Sequence, residues 1–319
     1  CSKCNDKYII VDDVPIFSKN KNYYGEISKE ELDGFNHQLR NKRYEKCLEN
    51  MPIEKAELLN FLLSENRCNG LNVLDINSTD LVLDLGAGFG GLSLYLAERC
   101  KQVHAVEWVE EKNHFVQAMA RQRGLDNLEC IKADCRCLPY RSETFTKIIM
   151  NGFLEWVPLE FFDSNPKSAQ KRVLRRCFDM LKPGGQLFVG IENRFWINYF
   201  LGYPDPHERK LHYVTIIPRF LANMISHLLR KKPYKTYIYS FRGYERLMKR
   251  AGFNAVNVYG VIPNYVTPVH VIEESSIDEY FMTELGKSRN MIFKMKKKRM
   301  IKAGLSKTFL HSFIIVARK

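Results

Sequence analysis

The chain lacks any uninterrupted apolar run approaching the roughly 18 to 20 residues of a membrane-spanning helix, so an integral membrane protein is not expected. No signal-peptide pattern opens it, and its nine cysteines fall in no regular framework. A disulfide scaffold is thereby excluded, and free thiols in a reducing compartment are expected, which points to a cytoplasmic protein. Internal repeats and low-complexity tracts are also missing, while an apolar content of 45% is enough for a packed core. Acidic residues are scarce in one half only. Residues 161–319 hold 11 acids against 29 bases, a net of +18, whereas residues 1–160 hold 25 against 20, a net of −5. Any anionic partner should therefore meet the second half.

Cys1 and Cys4 form a CxxC in front of a short hairpin, Tyr8 to Val11 and Val14 to Phe17. That is half of a zinc ribbon, because a structural zinc site needs four ligands and no other CxxC is present. Residues 1–27 read as a remnant of such a segment, with zinc expected only if a partner pair precedes it. Residues 28–77 read as N-terminal helices. Ser28-Lys-Glu-Glu31 is a capping box that opens a helix to about Cys47, and a second helix follows Pro52.

From residue 78 to the end, strands alternate with helices, which predicts a parallel sheet covered on both faces. Strands are expected at Leu81 to Leu85, Val103 to Glu107, Leu128 to Ala133, Lys147 to Met150 and Gln186 to Ile191, with a turn at Pro183-Gly184-Gly185. An aromatic, basic insertion occupies about 193–239, too long for a plain connection. A helix capped by Ser240 and strands at Ala255 to Tyr259 and Ser312 to Ala317 complete the pattern.

The chemistry centres on Asp84-Leu-Gly86-Ala87-Gly88-Phe-Gly90-Gly91, where a strand gives way to a helix. Glycines there permit a sharp turn and close approach to a ligand. Gly86, Gly88 and Gly91 also satisfy the dinucleotide pattern, with Glu107 placed 21 residues after Gly86, so a nicotinamide dehydrogenase is an open alternative. Three features favour a cationic nucleoside instead. Asp84 would repel a pyrophosphate, Asp134 follows the third strand, and Leu181-Lys-Pro-Gly-Gly185 precedes the fifth.

Together these segments resemble the class I S-adenosylmethionine-dependent methyltransferases, closely over 78–192. The resemblance implies a Rossmann-like α/β fold with a seven-stranded, mostly parallel sheet, its last strand antiparallel beside the fifth. It implies S-adenosylmethionine as cofactor, cradled by Asp84, Gly86, Ala87, Gly88 and Gly90. Glu107 would bind both ribose hydroxyls, Trp108 would pack on adenine, and Asp134 with Cys135 would meet the adenine edge. Asn151 would close the site.

Asn151-Gly-Phe-Leu-Glu155-Trp-Val157 resembles the corresponding segment of small-molecule methyltransferases, with Trp156 in place of a common histidine. It is unlike the Asn-Pro-Pro-Tyr tetrad of base methylases. The segments around Glu192-Asn-Arg194 and Tyr203-Pro-Asp-Pro-His207 resemble bacterial enzymes of sugar and glycan assembly. Glu192 and His207 are the candidate bases, His207 read as a neutral imidazole in a mobile stretch. Glu155 is a further candidate, with helix capping as its structural alternative. Asn193, Arg194 and Tyr203 are candidate substrate contacts, Arg194 holding an acceptor phosphate or carboxylate. The expected activity is O-methylation of a sugar, glycan or other small, anionic acceptor. An RNA methyltransferase and a non-catalytic binding protein are the alternatives. Residues 216–232 are amphipathic and end in three cations, which suits peripheral contact with the inner membrane surface.

Overall fold

The computed structural model describes residues 7–18, 23, 25–160, 165–208, 211–287 and 301–319. Cys1 and Cys4, and with them the zinc expectation, lie outside the described residues. Among the described residues ten strands are present: β1 Ile9–Val11, β2 Val14–Ile16, β3 Leu81–Leu85, β4 Gln102–Glu107, β5 Leu128–Lys132, β6 Phe145–Asn151, β7 Leu181–Glu192, β8 Ala255–Ile262, β9 His270–Ile272 and β10 Ser312–Arg318. The helices are α1 Lys29–Leu39, α2 Tyr44–Leu48, α3 Ile53–Leu62, α4 Gly91–Ala97, α5 Glu110–Arg123, α6 Val157–Glu160, α7 Pro166–Met180, α8 Ile197–Phe200, α9 Arg219–Arg230, α10 Phe241–Ala251 and α11 Ile277–Lys287.

The chain divides into two compact units, one of residues 1–150 and 179–187, the other of 151–178 and 188–319. In the first unit the strand order is β1-β2-β5-β4-β3-β6-β7. β3 runs parallel to β4 and β6, with Leu83 opposite His104 and Ile148, and β4 runs parallel to β5. Val82 to Leu85 and Ile148 to Met150 are buried without alternation, as strands covered on both faces require. α1 and α5 cover this sheet together: Phe35 stacks on Phe115, and Asn36 Nδ2 donates to the Glu111 carbonyl at 2.8 Å. Complete burial of Phe115 contributes about 2 to 3 kcal/mol.

The capping box is formed as expected, Glu31 N donating to Ser28 Oγ and Ser28 N to Glu31 Oε2. The helix it opens stops at Leu39 rather than Cys47, because Asn41 and Lys42 both turn back onto the Gln38 carbonyl and Arg43 is extended. The hairpin β1–β2 is also formed, and it does more than expected. β2 joins the sheet in parallel with β5, Ile16 opposite Lys132, and Phe17 N and Ser18 N both donate to the Lys132 carbonyl. The turn expected at Pro183-Gly184-Gly185 lies instead inside β7, with Gly184 at φ +76°.

In the second unit the order is β7-β10-β8-β9. β10 is antiparallel to β8, Ile314 facing Tyr259, and α10 packs on both through Phe241 and Phe313. The fold class is thus as read, an α/β Rossmann-like sheet with an antiparallel last strand. Its ten strands exceed the expected seven because the N-terminal hairpin adds two and β9 adds one. The insertion has a small core of its own, Leu211, Val214, Ala222 and Tyr234.

Candidate functional site

The expected cofactor residues other than Asn151 lie in the first unit, and the expected catalytic and substrate residues lie in the second. The loop after β3 is pinned by backbone bonds: Gly86 N and Ala87 N both donate to the Val106 carbonyl, and Gly90 N donates to the Ala87 carbonyl. Gly90 sits at φ +74°, and a Cβ there would stand 2.6 Å from Val116 Cγ2, so α5 packs directly on its backbone. Beside Gly88 a Cβ would meet nothing within 4 Å, which leaves open space over the loop. Asp84 is buried beneath it and accepts from Ser93 Oγ at 2.5 Å. Burial pushes its carboxyl up to about 6, the Ser93 bond opposing and the charge of Glu107 adding.

Glu107 ends β4 and organises the loop. Its Oε1 accepts from Trp108 N at 2.8 Å and Val109 N at 3.0 Å, while Oε2 accepts from Gly88 N at 3.0 Å. A carboxylate offers about four acceptor positions, so one remains, on Oε2. That position is open to a ribose hydroxyl without rearrangement. Trp108 is half-buried beside it. Asp134 is engaged: Arg136 donates to it from its backbone N (2.9 Å), Nε (3.2 Å) and Nη2 (2.8 Å), and Ser18 Oγ from 3.3 Å. Burial works to raise the Asp134 carboxyl, but the Arg136 and Ser18 bonds outweigh it and hold it below the usual range. An adenine amino group would have to compete with Arg136. Cys135 is buried.

The second unit gathers residues that lie far apart in sequence. Glu155 follows β6, Glu192 ends β7, and His207 comes from the insertion, yet His207 Nε2 lies 3.6 Å from Glu155 Oε1 and 3.6 Å from Glu192 Oε2. Its Nδ1 is 3.1 Å from Asp205 Oδ1, and Asp205 accepts in turn from Tyr234 Oη at 2.7 Å. Tyr265 Oη donates to Glu192 Oε1 at 3.1 Å, and Tyr244 Oη to the Glu192 carbonyl at 2.9 Å. Trp156 packs edge-on against the imidazole, 5.0 Å between centroids. Both oxygens of Glu155 and Oε2 of Glu192 are buried without a hydrogen-bond partner.

The expectation of a neutral His207 in a mobile stretch is corrected. Its side chain is only 4% exposed. Burial alone would lower its affinity for a proton, but Glu192, Asp205 and Glu155 overcome that and raise it well above the ordinary imidazole value. Burial likewise raises the Glu192 carboxyl, with Glu155 adding and His207 opposing.

Residues 83–189 match the family described as a methyltransferase domain. This segment is a methyltransferase domain. The 23S rRNA (uracil(1939)-C(5))-methyltransferase RlmD of Photobacterium angustum is 41% identical over 85 residues, 25% of this chain and 39% of that protein. A probable cobalt-precorrin-6B C(15)-methyltransferase of Methanococcus maripaludis is 28% identical over 105 residues, 33% of this chain and 53% of that one. The ubiquinone biosynthesis O-methyltransferase of Idiomarina loihiensis is 27% identical over 186 residues, 58% and 69%. The chain spans about two-fifths to a half of the first two. The three names carry three different acceptors, so a likeness to the domain does not fix the acceptor.

The methyltransferase domain implies S-adenosylmethionine as cofactor, and the residues present fit it: the open space at Gly88 and the free acceptor position on Glu107 suit its ribose end. This is the reading of the glycines that prevails over a dinucleotide. Within the second unit, Asn151 packs on Gly190, and its Oδ1 has no hydrogen-bond partner. Two expected substrate contacts are corrected. Asn193 Nδ2 donates to the Thr308 and Leu310 carbonyls and its Oδ1 accepts from Phe195 N. Arg194 donates to the Thr215 and Ile217 carbonyls. Asn193 thus ties the exit of β7 to the segment before β10, and Arg194 ties it to the insertion, so these polar atoms serve the fold. Burial, with Arg219 adding, lowers the Arg194 guanidinium to about 10. Tyr203 is half exposed and packs edge-on against Trp196. Residue-by-residue reading missed Asp205, Tyr234 and Tyr265. Asp205 had a signal, an acid two positions before His207 across a proline, whereas the tyrosines come from distant segments.

Proposed function

We propose that the chain transfers the methyl group of S-adenosylmethionine to a hydroxyl oxygen of a sugar, glycan or other small acceptor, bound at Glu155, Glu192 and His207. The cluster carries this reading. It stands at the exits of β6 and β7, and ligands of open α/β sheets bind at the carboxyl ends of the strands. Its unpartnered carboxylate oxygens are acceptors for hydroxyl groups, and Tyr265 holds Glu192 in place. In the transfer the sulfonium–methyl bond breaks as the oxygen–methyl bond forms, and the hydroxyl proton passes to Glu155 or Glu192. Alignment supplies much of the rate.

Incubation with methyl-labelled cofactor and separate glycan, metabolite and RNA fractions tests it. Label entering a glycan or metabolite as an ether is expected; label in RNA alone, or in none, overturns it. The RNA outcome is the second reading, favoured by the +18 balance of residues 161–319.

The acceptor is proposed to be met at an anionic lipid surface. Phe220, Met224, Leu228 and Leu229 on α9 are each at least half exposed, and the helix ends beside exposed Lys231 and Lys232. Among the described residues no helix is long and apolar enough to cross a membrane, so contact through α9 would be peripheral.

A further inference from the structure

The acid cluster of the second unit has a geometry that hydrogen bonding does not explain. One ligand-type atom from each of Glu155, Glu192 and His207 lies within 4.8 Å of the other two. Glu155 Oε1 and Glu192 Oε2 are each 3.6 Å from His207 Nε2, too far for a hydrogen bond. The spacing is close to the roughly 3.4 Å that separates neighbouring ligands around a tetrahedral ion with bonds near 2.1 Å. Glu155 is completely buried, and neither of its oxygens has a hydrogen-bond partner. The single charge of His207 is shared between two buried carboxylates and meets theirs only in part, which a divalent cation would complete.

The surrounding shell is arranged as metal-binding histidines require. Asp205 takes the Nδ1 side of His207, which leaves Nε2 to face the two glutamates, and Tyr234 fixes Asp205 in turn. Tyr265 engages the other oxygen of Glu192, leaving Oε2 free. The Trp156 ring packs edge-on against the imidazole.

We infer that Glu155, Glu192 and His207 bind one divalent transition-metal ion, of the kind that accepts one imidazole and two carboxylates, such as Mn2+ or Zn2+. Three protein ligands leave a coordination position for a further oxygen. That this oxygen belongs to the acceptor hydroxyl rests on the function proposed above; the ion site itself does not.

Manganese is the probe, because it has little affinity for thiolates and so does not report on Cys1 and Cys4. The full chain is stripped with chelator and titrated with Mn2+, and free ion is counted by electron paramagnetic resonance. One Mn2+ per chain is expected, displaced by Zn2+. Glu155→Gln and His207→Asn should abolish binding, while Asp205→Asn should weaken it by about 10- to 100-fold. Thermal unfolding guards against simple misfolding. Without metal, Glu155→Gln should melt close to the wild type, because His207 keeps Glu192 and Asp205 beside it, and it should lose the rise that Mn2+ gives the wild type. Absence of binding by the wild type at millimolar Mn2+ and Zn2+, or binding unchanged in both ligand variants, overturns the inference. Methyl transfer by a metal-free protein would leave the ion site standing or falling on these titrations alone.

Discussion

Replacing Glu107 by glutamine changes one atom and one charge, and its effect can be worked from three hydrogen bonds. The carboxylate accepts two amides on Oε1, from Trp108 and Val109, and one on Oε2, from Gly88. A glutamine keeps a single oxygen. The better orientation places it on the Trp108 and Val109 amides and turns the NH2 toward Gly88 N, so one charge-assisted bond becomes a facing pair of donors. Loss of such a bond costs about 1.5 to 3 kcal/mol. The Gly88 turn should loosen, and the melting temperature should fall by a few degrees. Cofactor binding should lose more, because the free acceptor position on Oε2 disappears as well. A combined loss of about 2 to 4 kcal/mol corresponds to a dissociation constant weakened roughly 30- to 1000-fold. Calorimetry with S-adenosylmethionine, paired with thermal unfolding, measures both. If Glu107→Gln binds cofactor within threefold of the wild type, the bond inventory is wrong about what holds the loop.

Asp84 makes stability depend on pH. Its carboxyl is raised to about 6 in the folded chain, so between pH about 4 and 6 the folded state keeps a proton that the unfolded chain has lost, and stability falls as pH rises through that window. The effect is on the order of 3 kcal/mol. Urea unfolding at several pH values should show a flatter profile in Asp84→Asn, and parallel profiles would refute the assignment. Gly190→Ala would drive a methyl group into the Asn151 carboxamide and the Tyr265 ring, costing about 1 to 3 kcal/mol, and Asn151→Ala in the same chain should recover part of it. Changing Phe220, Leu228 and Leu229 to serine should leave folding intact and abolish flotation with anionic vesicles; undiminished flotation would remove α9 as the contact.

Most of the first unit was legible because its signals are local. Leu81 to Leu85, the glycines and Glu107 form a strand, a turn and a strand end whose spacing is set by backbone geometry. The break after Leu39 was not legible: Asn41 and Lys42 carry no strong stop signal, and the turn depends on both amides finding the Gln38 carbonyl. In the second unit the individual acids were visible but their association was not. Nothing local indicates that Glu155 and His207, 52 positions apart, share one buried site. Arg194 misled for the same reason. A guanidinium beside a strand exit suggests an anion, and only the folded insertion shows that carbonyls of Thr215 and Ile217 use its donors.

The outermost strand of each unit, β1 and β9, is three residues long. Edge strands are templates for pairing with another chain, and brevity is one way to blunt them. On the first unit this protection depends on the hairpin, which covers β5 through contacts centred on Lys132. A recombinant version trimmed to begin at residue 28 would bare that edge and remove the hydrogen bond that Ser18 gives Asp134. Its first symptom should be aggregation during expression, seen as light scattering before any loss of cofactor binding. That outcome would give the hairpin, which reads in sequence as a leftover, the part of a safeguard for solubility.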